Sequence, residues 1–244
     1  MKHALIGSAL AFCMIGSAAA AVNCNTFLNN NITGFVNDDV IAIGYSCTIA
    51  ASGTVNGNLT QEGLGSLVIR GTVNGSVSES GDGSITIAGG RVSGNVSEAD
   101  VGGVTLRGGS TVNGLLEESG IGSVNVTVDL PGIVNADIIE SGPGSVIVVA
   151  SSGSFEGSVM ELDGGNVEVT VRAGVSFKGG IEEFDGGDIK AFVAGLFEGN
   201  VTELDGGSVV TSGAGTFKGN SEYDLPGTCT NSISDFQGAV CNLL

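Results

Sequence analysis

Seven glutamates, Glu79, Glu98, Glu118, Glu140, Glu161, Glu183 and Glu203, recur at intervals of 19 to 22 residues, and each is followed four residues later by a glycine. Gln61 stands in the same position one interval earlier, and Asp38 is read as the member before that. Carboxyl groups at such spacing suit three kinds of chemistry. They can accept hydrogen bonds from the backbone N–H groups of the glycine-rich turn that follows, which makes each one a corner residue. They can hold a hard divalent cation such as Ca²⁺, with Asp163, Asp185 and Asp205 joining Glu161, Glu183 and Glu203 from two residues on. Paired carboxyls can also act as acid and base, but a repeated column is a poor active site because nothing distinguishes one pair from the next. Stacked in register, the seven would lie about one strand spacing apart, where like charges repel, and something must compensate.

Other catalytic chemistry is poorly supplied. The one histidine, His3, sits in the leader, so the mature chain offers no Ser-His or Cys-His pair. Trp is absent and Tyr numbers 2, which removes the usual aromatic platforms of polysaccharide clefts. The arginines that a polysaccharide-cleaving β-helix would need, Arg70, Arg91, Arg107 and Arg172, are scattered along the chain. Thr-Val-Asn triplets at 54–56, 72–74 and 111–113 suggest a flat threonine face of the ice-binding kind, interrupted by Arg91-Val92-Ser93.

The elements that must position these residues follow from a repeat of about 20 residues. Its anchors are Gly34, Gly57, Gly75, Gly94, Gly114, Ala136, Gly157, Gly179, Gly199 and Gly219, with spacings of 18 to 23. Two residues before the anchor the chain carries Val55, Val73, Val92, Val112 and Val134, then Phe155, Phe177, Phe197 and Phe217. Two residues after it come Leu59, Val77, Val96, Leu116, Ile138, Val159, Ile181 and Val201. Ten residues after it come Leu67, Ile85, Val104, Val124, Val146, Val167, Ile189 and Val209. Short apolar alternations of period two separated by glycine corners predict two strands per rung, apolar side inward. The fold class is all-β: a single-stranded parallel β-helix, or β-solenoid, of about ten coils, roughly 45 Å long at the strand spacing.

Residues 1–21 have the pattern of a secretory signal peptide, with Lys2 and His3 before the apolar run Ala4 to Ile15 and small residues at 17–21. Residues 22–52 form an N-terminal cap and degenerate first coil, 53–220 the solenoid and 221–244 a C-terminal cap, where Pro226 interrupts the pattern. The mature cysteines, Cys24, Cys47, Cys229 and Cys241, lie in pairs at the two ends. In an oxidising compartment they read as disulfides; of three connectivities, the local pairing Cys24 to Cys47 and Cys229 to Cys241 is the simplest, since the repeats hold the ends apart. The net charge of -18, from 26 acidic and 8 basic residues, argues against nucleic acid as a partner. No stretch beyond the leader suits a membrane-spanning helix.

The rungs Gly71-Thr72-Val73-Asn74-Gly75-Ser76-Val77 and Gly94-Asn95-Val96 resemble the Gly-x-Val-x-Gly-Asn-Val coils of secreted bacterial β-solenoid repeat proteins. More distantly, residues 30–220 resemble bactofilins, whose β-helices polymerise end to end without nucleotide. The leader and the cysteine pairs depart from the bactofilin pattern. The resulting expectation is a secreted, non-enzymatic extracellular or cell-surface structural protein, with the periplasm as an alternative location. It would be a rigid acidic rod acting as an adhesin, a biofilm-matrix component or a filament subunit, with self-association or cell-surface components as partners. A carbohydrate-active β-helix enzyme and a calcium- or ice-binding module are the alternatives. No cofactor is implied beyond Ca²⁺ in the last of these.

Overall fold

A computed structural model describes residues 21–244; residues 1–20 of the leader, with Lys2, His3 and Cys13, lie outside the described residues. The chain winds as an all-β parallel solenoid of about 11 turns with roughly 20 residues per turn. Each turn carries three strands rather than the two expected from the apolar columns. In the turn at Phe197 they are Leu196–Glu198, Val201–Glu203 and the start of Ser208–Lys218. The extra strand is the short segment before the anchor. The anchor sits against the backbone one turn below: a Cβ at Gly75 would stand 2.5 Å from the Gly57 carbonyl oxygen, so a side chain there would force the strands apart. The chain therefore bends at the anchor, and the apolar columns on its two sides fall on different faces.

One face is a 12-stranded sheet running from Val22–Asn23 through Leu59–Glu62, Val77–Asp82 and Val201–Glu203 to Asn242–Leu243. The strands of the other two faces belong to a single 20-stranded sheet, because the last strands, Ser208–Lys218 and Thr228–Gln237, run through both faces without a break. Successive turns pair in parallel and in register, as in Val77↔Val96 and Glu79↔Glu98. Along each strand alternate side chains enter the core, giving the pattern buried, half-buried, buried in Val201–Glu203. The inward column before the anchor is aliphatic up to Val134 and then becomes the phenyl column Phe155, Phe177, Phe197, Phe217 and Phe236, whose rings stack at centroid distances of 4.5 to 4.9 Å. That spacing is the strand repeat itself, so the ladder imposes the stacking.

Both ends differ from the sequence reading. Phe35–Val36 pairs with Thr54–Val55, which makes Val36 the partner of Val55 and aligns Asp38, not Gly34, with the anchor Gly57. Ala42 pairs with Gln61, so Ala42 and not Asp38 heads the glutamate column. The register follows the buried positions Ile32, Val36, Val40 and Ala42 rather than the glycine. At the other end, the disulfide-tied segment 221–244 continues the coil as a further turn. Thr228–Gln237 pairs along Ser208–Lys218 with one register shift between Gly213 and Thr216, and Asn242–Leu243 pairs with Glu222–Tyr223. Phe236-Gln237-Gly238 repeats Phe217-Lys218-Gly219 and marks this turn in the sequence.

The cysteines pair locally, Cys24 with Cys47 and Cys229 with Cys241. Cys47 and Cys229 occupy the first and last places of the inward column that Leu67, Ile85 and Val209 fill between them. Cys24 reaches Cys47 from a 3-10 turn, Cys24–Thr26, and is fully buried. The disulfides indicate a non-cytoplasmic environment. Among the described residues no helix is long and apolar enough to cross a membrane.

Candidate functional site: an interior carboxyl ladder

The seven glutamates are the third residues of consecutive strands of the 12-stranded sheet, aligned Glu79↔Glu98↔Glu118↔Glu140↔Glu161↔Glu183↔Glu203. Because the first residue of each strand is a buried aliphatic, the period of two sends the third inward as well. All seven are at most 2% exposed. They are therefore core residues, and Glu140, Glu161, Glu183 and Glu203 end their strands where the glycine turn begins. Their neighbours on the outward side, Ser78, Ser97, Glu117, Ile139, Met160, Glu182 and Thr202, separate the two faces of the strand. Gln61, fully buried, closes one end of the column by donating its Nε2 to the Gly63 carbonyl at 3.1 Å. Continuing the pairing Thr202↔Glu222 by one residue brings Tyr223 to the other end.

The glycine four residues after each glutamate makes room for its carboxyl. A Cβ at Gly83, Gly102, Gly122, Gly144 or Gly187 would lie 2.7 to 2.8 Å from Oε1 of the glutamate in its own turn. It would also overlap the carbonyl oxygen of the equivalent glycine one turn below, as Gly187 would overlap Gly165. In the second half of the rod this close approach yields the turn-to-carboxyl hydrogen bonds that the sequence suggested. Gly187 N–H donates to Glu183 Oε1 at 2.8 Å and Gly207 N–H to Glu203 Oε1 at 2.5 Å. Asp163 N–H donates to Glu161 Oε1 at 3.1 Å. In the first half these bonds are missing: both carboxyl oxygens of Glu79, Glu98, Glu118 and Glu140 are buried without an N–H or O–H donor.

The polar groups stacked next to each carboxyl are the carboxyls one turn above and below it: Glu98 lies between Glu79 and Glu118, Glu140 between Glu118 and Glu161, and Glu183 between Glu161 and Glu203. Burial, followed by these contacts and the repulsion between like charges, raises Glu98 and Glu140 to about 9. Burial raises Glu183 to about 8, with the Gly187 hydrogen bond acting against it and Glu161 and Glu203 acting with it. Glu79 is raised too, first by burial, with Asp100 and Asp82 adding to the effect. Lone acidic groups in a dry interior favour the neutral form for this reason.

The outer surface treats charge differently. Glu156, Lys178, Glu198 and Lys218 alternate in sign along one outward column, with Lys178–Glu156 at 3.4 Å and Lys218–Glu198 at 3.0 Å. Lys190 approaches Glu168 at 4.0 Å on another. Stacked outward charges are thus balanced by alternation, whereas the interior column repeats one residue type seven times with no counter-ion.

The proposed calcium set is not brought together. Asp163, Asp185 and Asp205 are exposed in the turns, while Glu161, Glu183 and Glu203 point into the core. Asp185 and Asp205 instead have φ of 70° and 72°, a left-handed turn conformation that Asp tolerates better than most residues. Among the described residues no group of three or more His, Cys, Asp or Glu side chains is disposed to hold a metal ion. Arg70, Arg91, Arg107 and Arg172 are exposed and do not converge. Thr54, Thr72 and Thr111 share an outward column with Arg91 between Thr72 and Thr111. A shallow groove of about 680 Å³ in the C-terminal half is lined by Ser176, Leu196, Thr216, Lys218, Asp235 and small residues.

Comparison with protein-family models, with curated proteins and with solved structures gives no match to this chain. The class that the coordinates define is a parallel β-solenoid with disulfides near both ends.

Proposed function

We propose that the protein is a non-enzymatic structural rod that works outside the cytoplasm, as an adhesin, a matrix component or a filament subunit. One observation carries this reading: the glutamates that recur along the chain are sealed in the core, while the surface carries an excess of acidic side chains, three of them paired with lysines, and exposed apolar residues such as Phe35, Ile121 and Phe192. An in-register solenoid resists bending because every turn is hydrogen-bonded to the next along three faces. At the strand spacing, its stacked turns make a stiff unit about 50 Å long. Export through the leader and the two disulfides fit a surface or extracellular setting.

Electron microscopy of the purified mature protein, with and without calcium, tests the reading. Rods that associate with one another or with cell-surface material support it. Discrete monomers that release sugar fragments from a polysaccharide would replace it with the enzymatic alternative, for which the groove beside Thr216 and Asp235 is the first place to mutate.

A further inference from the structure

The interior column poses a problem of proton bookkeeping. Eleven carboxyl oxygens of the seven glutamates are buried without a donor: two each on Glu79, Glu98, Glu118 and Glu140, and one each on Glu161, Glu183 and Glu203. No cation is at hand to neutralise them. The seven basic residues among the described ones, Arg70, Arg91, Arg107, Arg172, Lys178, Lys190 and Lys218, are all exposed. From the other two faces the core is lined by aliphatic and phenyl side chains, such as Val126, Val148, Val169 and Phe177. Asp82 and Asp100, in the adjoining turns, are acidic and oppose ionisation of Glu79. Gln61 and Tyr223 stand at the two ends, and neither is a cation.

Two carboxylates in contact have no hydrogen between them, but one proton converts the contact into an O–H···O bond that satisfies an oxygen on each side. The chain itself contains the precedent, since Gln61, the neutral amide isostere of glutamic acid, holds the next place in the same column. We propose that the glutamate column is a proton-binding site, in which protons shared between successive carboxyls link the turns of the rod, so that folding takes up protons and alkali releases them. Glu98, Glu140 and Glu183 alternate with Glu118, Glu161 and Glu203, and a proton on each of the first three can serve a neighbour in the second set. Three shared protons per chain, on Glu98, Glu140 and Glu183, are the uptake expected.

This makes the fold acid-locked. With three protons bound on folding at a pH where the unfolded chain holds none, the folding equilibrium constant falls about a thousandfold for each unit rise in pH. The test is a pH-stat measurement on the mature protein as it refolds from denaturant at pH 7 in unbuffered solution. Uptake of three or more protons per chain is expected; uptake of none would overturn the proposal. A second measurement uses the triple variant E98Q, E140Q and E183Q, whose amides donate the same hydrogen bonds without titrating. Its alkaline unfolding midpoint should lie above that of the wild type, and a midpoint identical to the wild type would also overturn the proposal.

Discussion

Raising the pH should unfold this protein over a range in which most proteins are at their most stable. For Glu98, Glu140 and Glu183 the folded chain holds the carboxyl above its ordinary value of 4.5, at about 9, 9 and 8. A group whose folded value is raised contributes stability that is fully present below the unfolded value and is lost as the pH climbs through the folded one. The window therefore opens near 4.5 and closes between 8 and 9 for these three groups. Each proton retained only by the folded state costs about 1.4 kcal/mol per pH unit, so three give a slope of about 4 kcal/mol per unit. Against a total stability of roughly 5–15 kcal/mol for a domain, such a slope is decisive within a few units. Urea unfolding followed by circular dichroism at successive pH values from 5 to 9 measures it. Surface repulsion from the net charge of -18 acts in the same direction, but salt screens it and does not screen a buried column. A urea midpoint that stays flat or rises across this range in high salt would refute the reasoning.

Other substitutions probe the parts that shape the column. Gly187→Ala should lower stability by about 2–4 kcal/mol, through overlap with the Gly165 carbonyl and the Glu183 carboxyl, and thermal melts should show it. Gly34→Ala meets nothing within 4 Å and should melt with the wild type, which makes it the control. Phe197→Ala removes a ring stacked at 4.9 Å on Phe177 and 4.6 Å on Phe217, and should cost about 3–5 kcal/mol in denaturant unfolding. Lys218→Ala breaks an exposed pair with Glu198 and should change stability by less than about 1 kcal/mol. Reduction of Cys24–Cys47, which closes a segment with a sequence separation of 23, should destabilise the first turns by about 2–4 kcal/mol, readable as faster exchange of amide hydrogens in residues 22–49.

Much of this architecture was legible in the sequence because a solenoid repeats its instructions. The columns at Val55, Leu59 and Leu67 recur often enough that the repeat length and the inward faces follow from spacing, and they make the local pairing the simplest of the three cysteine connectivities. The number of faces did not follow. Thr54–Val55 is a strand of two residues, too short to show a period of its own, and the bend at Gly57 is visible only as a close approach between backbones. The first turn departs from the sequence reading because Asp38, not a glycine, holds the anchor place, and the last because Tyr223 and Pro226 interrupt a pattern that Phe236-Gln237-Gly238 resumes. At Asp38 and Gly238 the register follows the buried side chains Val36 and Ala42 and the phenyl stack at Phe236. The glutamate column and its turn-to-carboxyl hydrogen bonds at Glu161, Glu183 and Glu203 are legible in the sequence, whereas the full burial of the carboxyls is not. Their place, two residues after a buried aliphatic, carried the information, but a charged residue is ordinarily assigned to water. The alternating pattern at Val77-Ser78-Glu79 outweighed that expectation because the neutral acid is available to a glutamate that cannot be solvated.

The most direct measurement of the central claim is the infrared spectrum of the mature protein carrying ¹³C-labelled glutamate, recorded across the pH range of its folded state. The C=O stretch of neutral glutamic acid should persist at pH 7 and disappear together with the fold on alkaline unfolding. A folded protein at pH 7 whose glutamates give the carboxylate signal alone would contradict that claim.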